Sequence, residues 1–203
     1  MGQEVKEMKK RILLFSAVCA AACALSGCNL FGNKDGDEYG AINAMLAADY
    51  SCIRISITND FTDEDITLKS EYTVKYSQSE INIEYSVQRF SEISLEKPNE
   101  GPVTTYEGTA KIVDGIISGG EEVGLTASIA SLSVTFKKDY LENAEVTGMY
   151  IKADVKDASG FLGTDISCTD MKVNAEFFTC FENMTITYRQ SGRSVKYEYI
   201  FTP

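Results

Sequence analysis

From residue 51 onward the chain alternates hydrophobic and polar residues with a period of two. In 51–58, Ile53, Ile55 and Ile57 face one way, and Cys52, Arg54, Ser56 and Thr58 the other. In 66–76, Ile66, Leu68, Ser70, Tyr72, Val74 and Tyr76 alternate with Thr67, Lys69, Glu71, Thr73 and Lys75. After a turn at Ser77-Gln78-Ser79, Ile81, Ile83, Tyr85 and Val87 alternate with Asn82, Glu84, Ser86 and Gln88. A period of two puts alternate side chains on opposite faces of a strand, so these segments predict antiparallel strands with one dry face and one wet face.

The pattern continues to the end. Residues 104–113 predict a strand, and Asp114-Gly115 between two apolar pairs is a two-residue hairpin signal. Residues 118–130 fit loop, short helix or strand equally. Leu132, Val134 and Phe136 predict a strand, and 145–155 another, with Met149, Ile151, Ala153 and Val155 on one face. Residues 158–169 predict a loop with an apolar tip at Gly160-Phe161-Leu162-Gly163. Strands follow at 171–178, 184–189 and 194–202, the last two forming a hairpin about Gln190-Ser191-Gly192-Arg193. The Tyr-rich hairpins at 66–87 and 184–202 are similar enough to raise two like halves, although any two amphipathic hairpins share such a pattern. One helix is expected, at 41–49, where alanines accompany Ile42, Met45 and Leu46 at helical spacing.

The N-terminal region follows different rules. Lys9, Lys10 and Arg11 precede an apolar run, 12–25, that is shorter than the ~20 residues a spanning helix needs. A small-residue region, Ser26-Gly27, and then Cys28 follow. This is the layout of a secretory signal. The stretch Leu25-Ser26-Gly27-Cys28 resembles the lipobox of bacterial lipoprotein precursors. The resemblance implies diacylglyceryl modification of Cys28, cleavage before it, and attachment to the extracytoplasmic side of a cell-envelope membrane. Each buried methylene contributes ~0.8 kcal/mol, and two or more chains hold firmly where one is marginal. The chain then divides into a signal peptide, 1–27, an anchor and tether, 28–40, and one β-rich domain, 41–203. Asn33, Asp35 and Asp37 mimic the start of a calcium loop, but Glu38 and Ala44 stand where Gly and Glu are needed, so the segment reads as tether.

Charge narrows the partners. The 203 residues carry 19 cations and 30 anions, a net −11. Without the four cations and two anions of the leader, 15 cations face 28 anions, a net −13. Such a chain is repelled by nucleic acid and by anionic headgroups, so membrane attachment would come from the acyl chains. With Cys28 lipidated, Cys52, Cys168 and Cys180 remain, an odd number. Cys168 and Cys180, flanking one strand, are the candidate disulfide, and three thiols buried as small apolar groups are the alternative.

Familiar catalytic chemistry is sparse. There is no histidine, which removes Ser-His-Asp triads, Cys-His pairs and His-bearing metal sites. No phosphate-binding glycine motif occurs. Ser94-Leu95-Glu96-Lys97 matches a bare SxxK but adjoins a breaker-rich loop and lacks companion motifs. Asp60, Asp63, Glu64 and Asp65 cluster between two strands, and Glu121-Glu122 lies in the least readable stretch. Solvated turns explain both better than a calcium site or a two-carboxylate hydrolase. No cofactor or metal is expected.

The fold expected is mainly β (α+β): an antiparallel curved sheet or open barrel with one short N-terminal helix. A two-sheet sandwich is the alternative. The function expected is a non-enzymatic binding domain holding an apolar or lipid ligand, by architectural analogy with lipid-carrier lipoproteins. A surface protein-interaction or adhesion module, meeting an envelope protein, is the alternative. Tyr72, Tyr76, Tyr85, Tyr188, Tyr197 and Tyr199 are the candidate ligand-lining residues, since tyrosine joins an apolar body to a polar tip. The alternation that groups them with Ile and Val makes core the simpler reading.

Overall fold

The computed structural model describes residues 38–61, 66–91 and 101–203. Cys28, the lipobox, the tether before Glu38, Ser94–Lys97, the residues Asp63, Glu64 and Asp65, and the side chain of Asp60 lie outside the described residues.

Ten strands form one open antiparallel sheet: β1 (Cys52–Phe61), β2 (Ile66–Tyr76), β3 (Ile81–Phe90), β4 (Val103–Val113), β5 (Ile116–Ser118), β6 (Leu141–Val146), β7 (Tyr150–Val155), β8 (Thr169–Phe177), β9 (Phe181–Gln190) and β10 (Arg193–Thr202). Their order is β5-β4-β3-β2-β1-β10-β9-β8-β7-β6. Two five-stranded meanders therefore meet where the first strand pairs with the last, with Ile53 opposite Phe201 and Ile55 opposite Tyr199. The sheet is not a sandwich. The hairpins β2–β3 and β9–β10 step the same way across it, but with strand directions reversed. No rotation that keeps the apolar face inward superposes them, so their likeness is one of pattern.

Parity decides the faces. Ile53, Val74, Ile83, Ala110, Ile151, Val173, Ala175, Met184, Ile186 and Phe201 are buried on the inner face. The outer face carries exposed ion pairs such as Lys69–Glu71 and Lys196–Glu198, each contributing at most about 1 kcal/mol. A single sheet with one apolar face needs a second layer to bury it. Three segments supply it: helix α1 (Glu38–Leu46), helix α2 (Ala158–Leu162), and the 119–140 segment that joins β5 to β6. Those two strands are the opposite edges of the sheet. Nine strand spacings make it about 43 Å wide. The 22-residue connection reaches up to about 75 Å if extended. It crosses the inner face as a strap.

Several elements differ from the sequence expectation. Helix α1 begins at Glu38, inside the expected tether, and ends at Leu46. It buries Ile42 and Leu46 as expected. Leu132, Val134 and Phe136 do not join the sheet. They keep their alternation because the strap lays one side on the inner face, where Val134 and Phe136 are buried. The expected strand at 145–155 is two strands, β6 and β7, with Met149 exposed in the turn between them. The apolar tip at 160–163 belongs to α2, and Phe161 is fully buried, edge-on to Phe136 at 5.4 Å.

Cys52, Cys168 and Cys180 are free thiols. The candidate pairing of Cys168 with Cys180 does not form, because the nine residues of β8 separate them. That is about 30 Å of strand, against the ~7 Å limit for a disulfide.

Candidate functional site

The strap covers the two halves of the inner face differently. On the β6–β10 side the space is filled by aromatic rings. Phe136 packs on Phe161 and Phe181, and Phe181 on Phe177 and Phe201, with centroids 5.4–6.1 Å apart. Offset and edge-on rings at this spacing pack well and leave little void. Asn43 of α1 fixes the plug. Its Nδ2 donates to the Phe136 carbonyl, and its Oδ1 accepts from the Phe136 amide, both at 2.8 Å.

Over the sheet centre the strap stands clear and a cavity of about 280 Å³ opens. Its floor is Ile53 and Ile55 of β1, Tyr72 and Tyr76 of β2, and Tyr197 and Tyr199 of β10. Its roof is the strap from Val123 to Leu132. Small residues in that run, among them Gly124, Ser128, Ala130 and Ser131, leave the space that larger side chains would fill.

Three hydrogen bonds hold the roof to the sheet. The Tyr76 hydroxyl donates to the Ala130 carbonyl at 2.8 Å. The Tyr85 hydroxyl donates to the Glu122 carboxylate, and the Arg89 guanidinium donates to the Val123 carbonyl. Tyr85 reaches Glu122 by lying across Gly108, its cross-strand partner on β4. A Cβ at Gly108 would stand 2.7 Å from the Tyr85 Cζ, so only glycine admits the ring there.

The six sequence-identified tyrosines all fall on the inner face, in two roles. Tyr72, Tyr76, Tyr197 and Tyr199 line the cavity. Tyr85 and Tyr188 are buried beside it. Tyr188, Tyr197, Tyr199 and Phe201 form a stack with successive centroids 6.1–6.3 Å apart. This stack continues the cavity floor into the aromatic core. Burial pushes the Tyr188 and Tyr199 hydroxyls far above the ordinary tyrosine range, with neighbouring Tyr197 adding to both. Burial raises Tyr72 and Tyr76 as well. These hydroxyls are neutral at any physiological pH, so the wall presents uncharged, hydrogen-bonding rings.

Sequence reasoning missed Arg89 and the role of Glu122. Arg89 continues the inner-facing series Ile81, Ile83, Tyr85, Val87 of β3, where a cation breaks an apolar alternation. That break was the available signal. Glu122 gave none, because its role depends on where the strap crosses.

The outer face bears three broader hollows, of about 470, 570 and 630 Å³. The two larger ones are lined chiefly by polar residues such as Lys69, Glu71, Lys152, Asp154 and Lys172, and the smallest also reaches Tyr188 and Val195. Among the described residues, no group of three or more Cys, Asp or Glu is placed to hold a metal ion. Two described carboxylates with displaced pKa values, Glu80 and Glu122, are held low by hydrogen bonds, first from Asn82 and Tyr85 respectively. Neither is raised as a general acid requires. The inner cavity is lined by isoleucine and tyrosine side chains of the sheet and by small, apolar and hydroxyl-bearing residues of the strap.

No family model matches the chain, and the search of curated proteins finds no significant match.

Proposed function

We propose that the chain is a lipoprotein of the bacterial cell envelope, anchored on the extracytoplasmic side by acyl chains on Cys28, and that its β domain binds an apolar ligand in the cavity under the strap. One observation carries the binding reading: a roofed, tyrosine- and isoleucine-floored space over the sheet centre, within a protein whose other half is filled with rings. Ligand sites are concave and mostly apolar, with a few polar groups that orient the guest. The anchoring rests on the leader and on Leu25-Ser26-Gly27-Cys28.

The two parts have separate tests. Labelled fatty acid fed to bacteria expressing the full chain should enter the protein, and Cys28→Ser should abolish the incorporation. Unchanged incorporation rejects the anchor. For the cavity, the full chain should enhance the fluorescence of an apolar, environment-sensitive probe at one saturable site. Ala130→Phe, which puts a ring into the roof, should remove the signal while the protein stays folded. Equal signals from both proteins reject the cavity as the binding site.

A second reading has one observation in its favour. Phe178 and Met149 are 71% and 62% exposed on adjacent turns, joined where the Phe177 amide bonds to the Met149 carbonyl at 2.9 Å. Such a pair suits contact with an envelope protein. Crosslinking from these turns in intact cells, with Phe178→Ser as control, would capture that partner, and an unchanged crosslink pattern in the variant argues against it.

A further inference from the structure

We propose that the cavity takes a single-chain amphiphile with an anionic head, and that Arg89 binds the head. This rests on the carrier reading above and assigns it a ligand class. Among the described inner-facing positions of β1 to β5, Arg89 is the one cation; the others are apolar, aromatic, small or neutral polar. It stands at the cavity's edge. Its guanidinium donates to the carbonyl of Val123 and lies 3.9 Å from where a Cβ of Gly124 would be. Both of those residues line the cavity. Its charge also acts on Tyr72 of the floor. The side chain is exposed at its post, so a head group in water can reach it while a tail lies inside.

The guanidinium has capacity left for this. It carries five N–H donors in a planar fork suited to a carboxylate or phosphate. Among the described residues Arg89 forms no salt bridge. The nearby Glu122 carboxylate is held by Tyr85. A chain of net charge −11 has no general attraction for anions, so a cation at the mouth of this cavity is a local feature. At about 280 Å³ the space is at the small end for a ligand pocket and suits one short chain, so ten-carbon compounds are the probes.

The test is calorimetric titration of the full chain with decanoate, decanol and acetate. Decanoate should bind about tenfold more tightly than decanol, the margin of one hydrogen bond to a charged group, and acetate should not bind. Arg89→Gln should bring the acid down to the alcohol, and Arg89→Lys should restore part of the preference. Tyr85→Phe frees the Glu122 clip but leaves Arg89, and should keep the preference, which separates head recognition from closure of the roof. Equal binding of acid and alcohol by the wild type overturns the role of Arg89 while the cavity reading stands. A preference that survives Arg89→Gln places the head elsewhere and also overturns it. Acetate binding as tightly as decanoate makes this a free-anion site. If neither ten-carbon compound binds, the carrier reading falls with the inference.

Discussion

Asn43 and Phe136, 93 residues apart, are joined as if they were one rung of a sheet: the Asn43 side chain serves both the carbonyl and the amide of Phe136 at 2.8 Å. Phe136 is fully buried, so its carbonyl and amide depend on Asn43 for these bonds while the side chain is in place. Asn43→Ala should leave two buried backbone groups without partners, at about 1–3 kcal/mol each before relaxation. A loss of about 2–4 kcal/mol in urea unfolding is expected. Asn43→Asp should recover at most the amide bond, since a carboxylate also faces the carbonyl. A change below about 0.5 kcal/mol for Asn43→Ala, the range of an ordinary surface substitution, would mean that the plug is not held this way.

Gly108 is expected to resist substitution because of Tyr85. With a Cβ placed 2.7 Å from the Tyr85 Cζ, Gly108→Ala should displace the ring from Glu122 and destabilise the fold by about 1–3 kcal/mol, the usual cost of overpacking. In a Tyr85→Leu background the same change should cost much less. The coupling in that double-mutant cycle isolates the contact, and additive effects would contradict it.

The tyrosines set the response to alkali. Tyr85 is pushed up to about 12, first by its hydrogen bond to Glu122 and then by burial, and burial drives Tyr188 and Tyr199 higher still. The fold therefore favours the neutral phenol. The stabilisation is fully present below the unfolded tyrosine value of ~10 and is lost as pH rises through the folded values. Chemical stability should fall steadily above about pH 10, and tyrosinate absorbance from these residues should appear only as the fold is lost. Their ionisation near pH 10 in a protein with native near-UV dichroism would contradict this.

The thiols should be chemically separate. Cys52, Cys168 and Cys180 are free, and burial raises the Cys168 thiol above its ordinary range, which slows its reaction with alkylating agents. Alkylation of the unfolded chain without reductant should label all three sites in peptide maps. Alkylation of Cys168 should be slower in the folded chain than in the unfolded one. A Cys168–Cys180 crosslinked peptide would contradict the strand assignment between them.

Strand positions were legible in the sequence because one wet and one dry face is a local, repeating property. Ile66–Tyr76 is bounded as its alternation indicated, and Asp114-Gly115 makes its hairpin with positive φ at both residues. Leu132–Phe136 shows the limit. Alternation reports which side is buried, not whether the backbone has a strand partner, and the strap buries alternate residues without pairing. Helix α2 was missed although its signals are present: Asp157 caps it by accepting from the Gly160 amide at 2.9 Å, and Gly163 ends it with positive φ. The apolar Phe161 between glycines suggested a loop tip more strongly than five residues suggest a helix. The tyrosine face was readable, but the cavity was not. It depends on β5 and β6 lying at opposite edges of one sheet, a relation between distant residues that no local pattern encodes.

If the β domain is a carrier, the space beneath the strap should hold an apolar guest. Native mass spectrometry of the full chain, purified from a bacterial host without delipidation, tests it most directly. A discrete non-covalent mass is expected that is lost on denaturation, recovered as a single-chain amphiphile, and absent from Ala130→Phe. A clean protein mass that is the same in both proteins would contradict it.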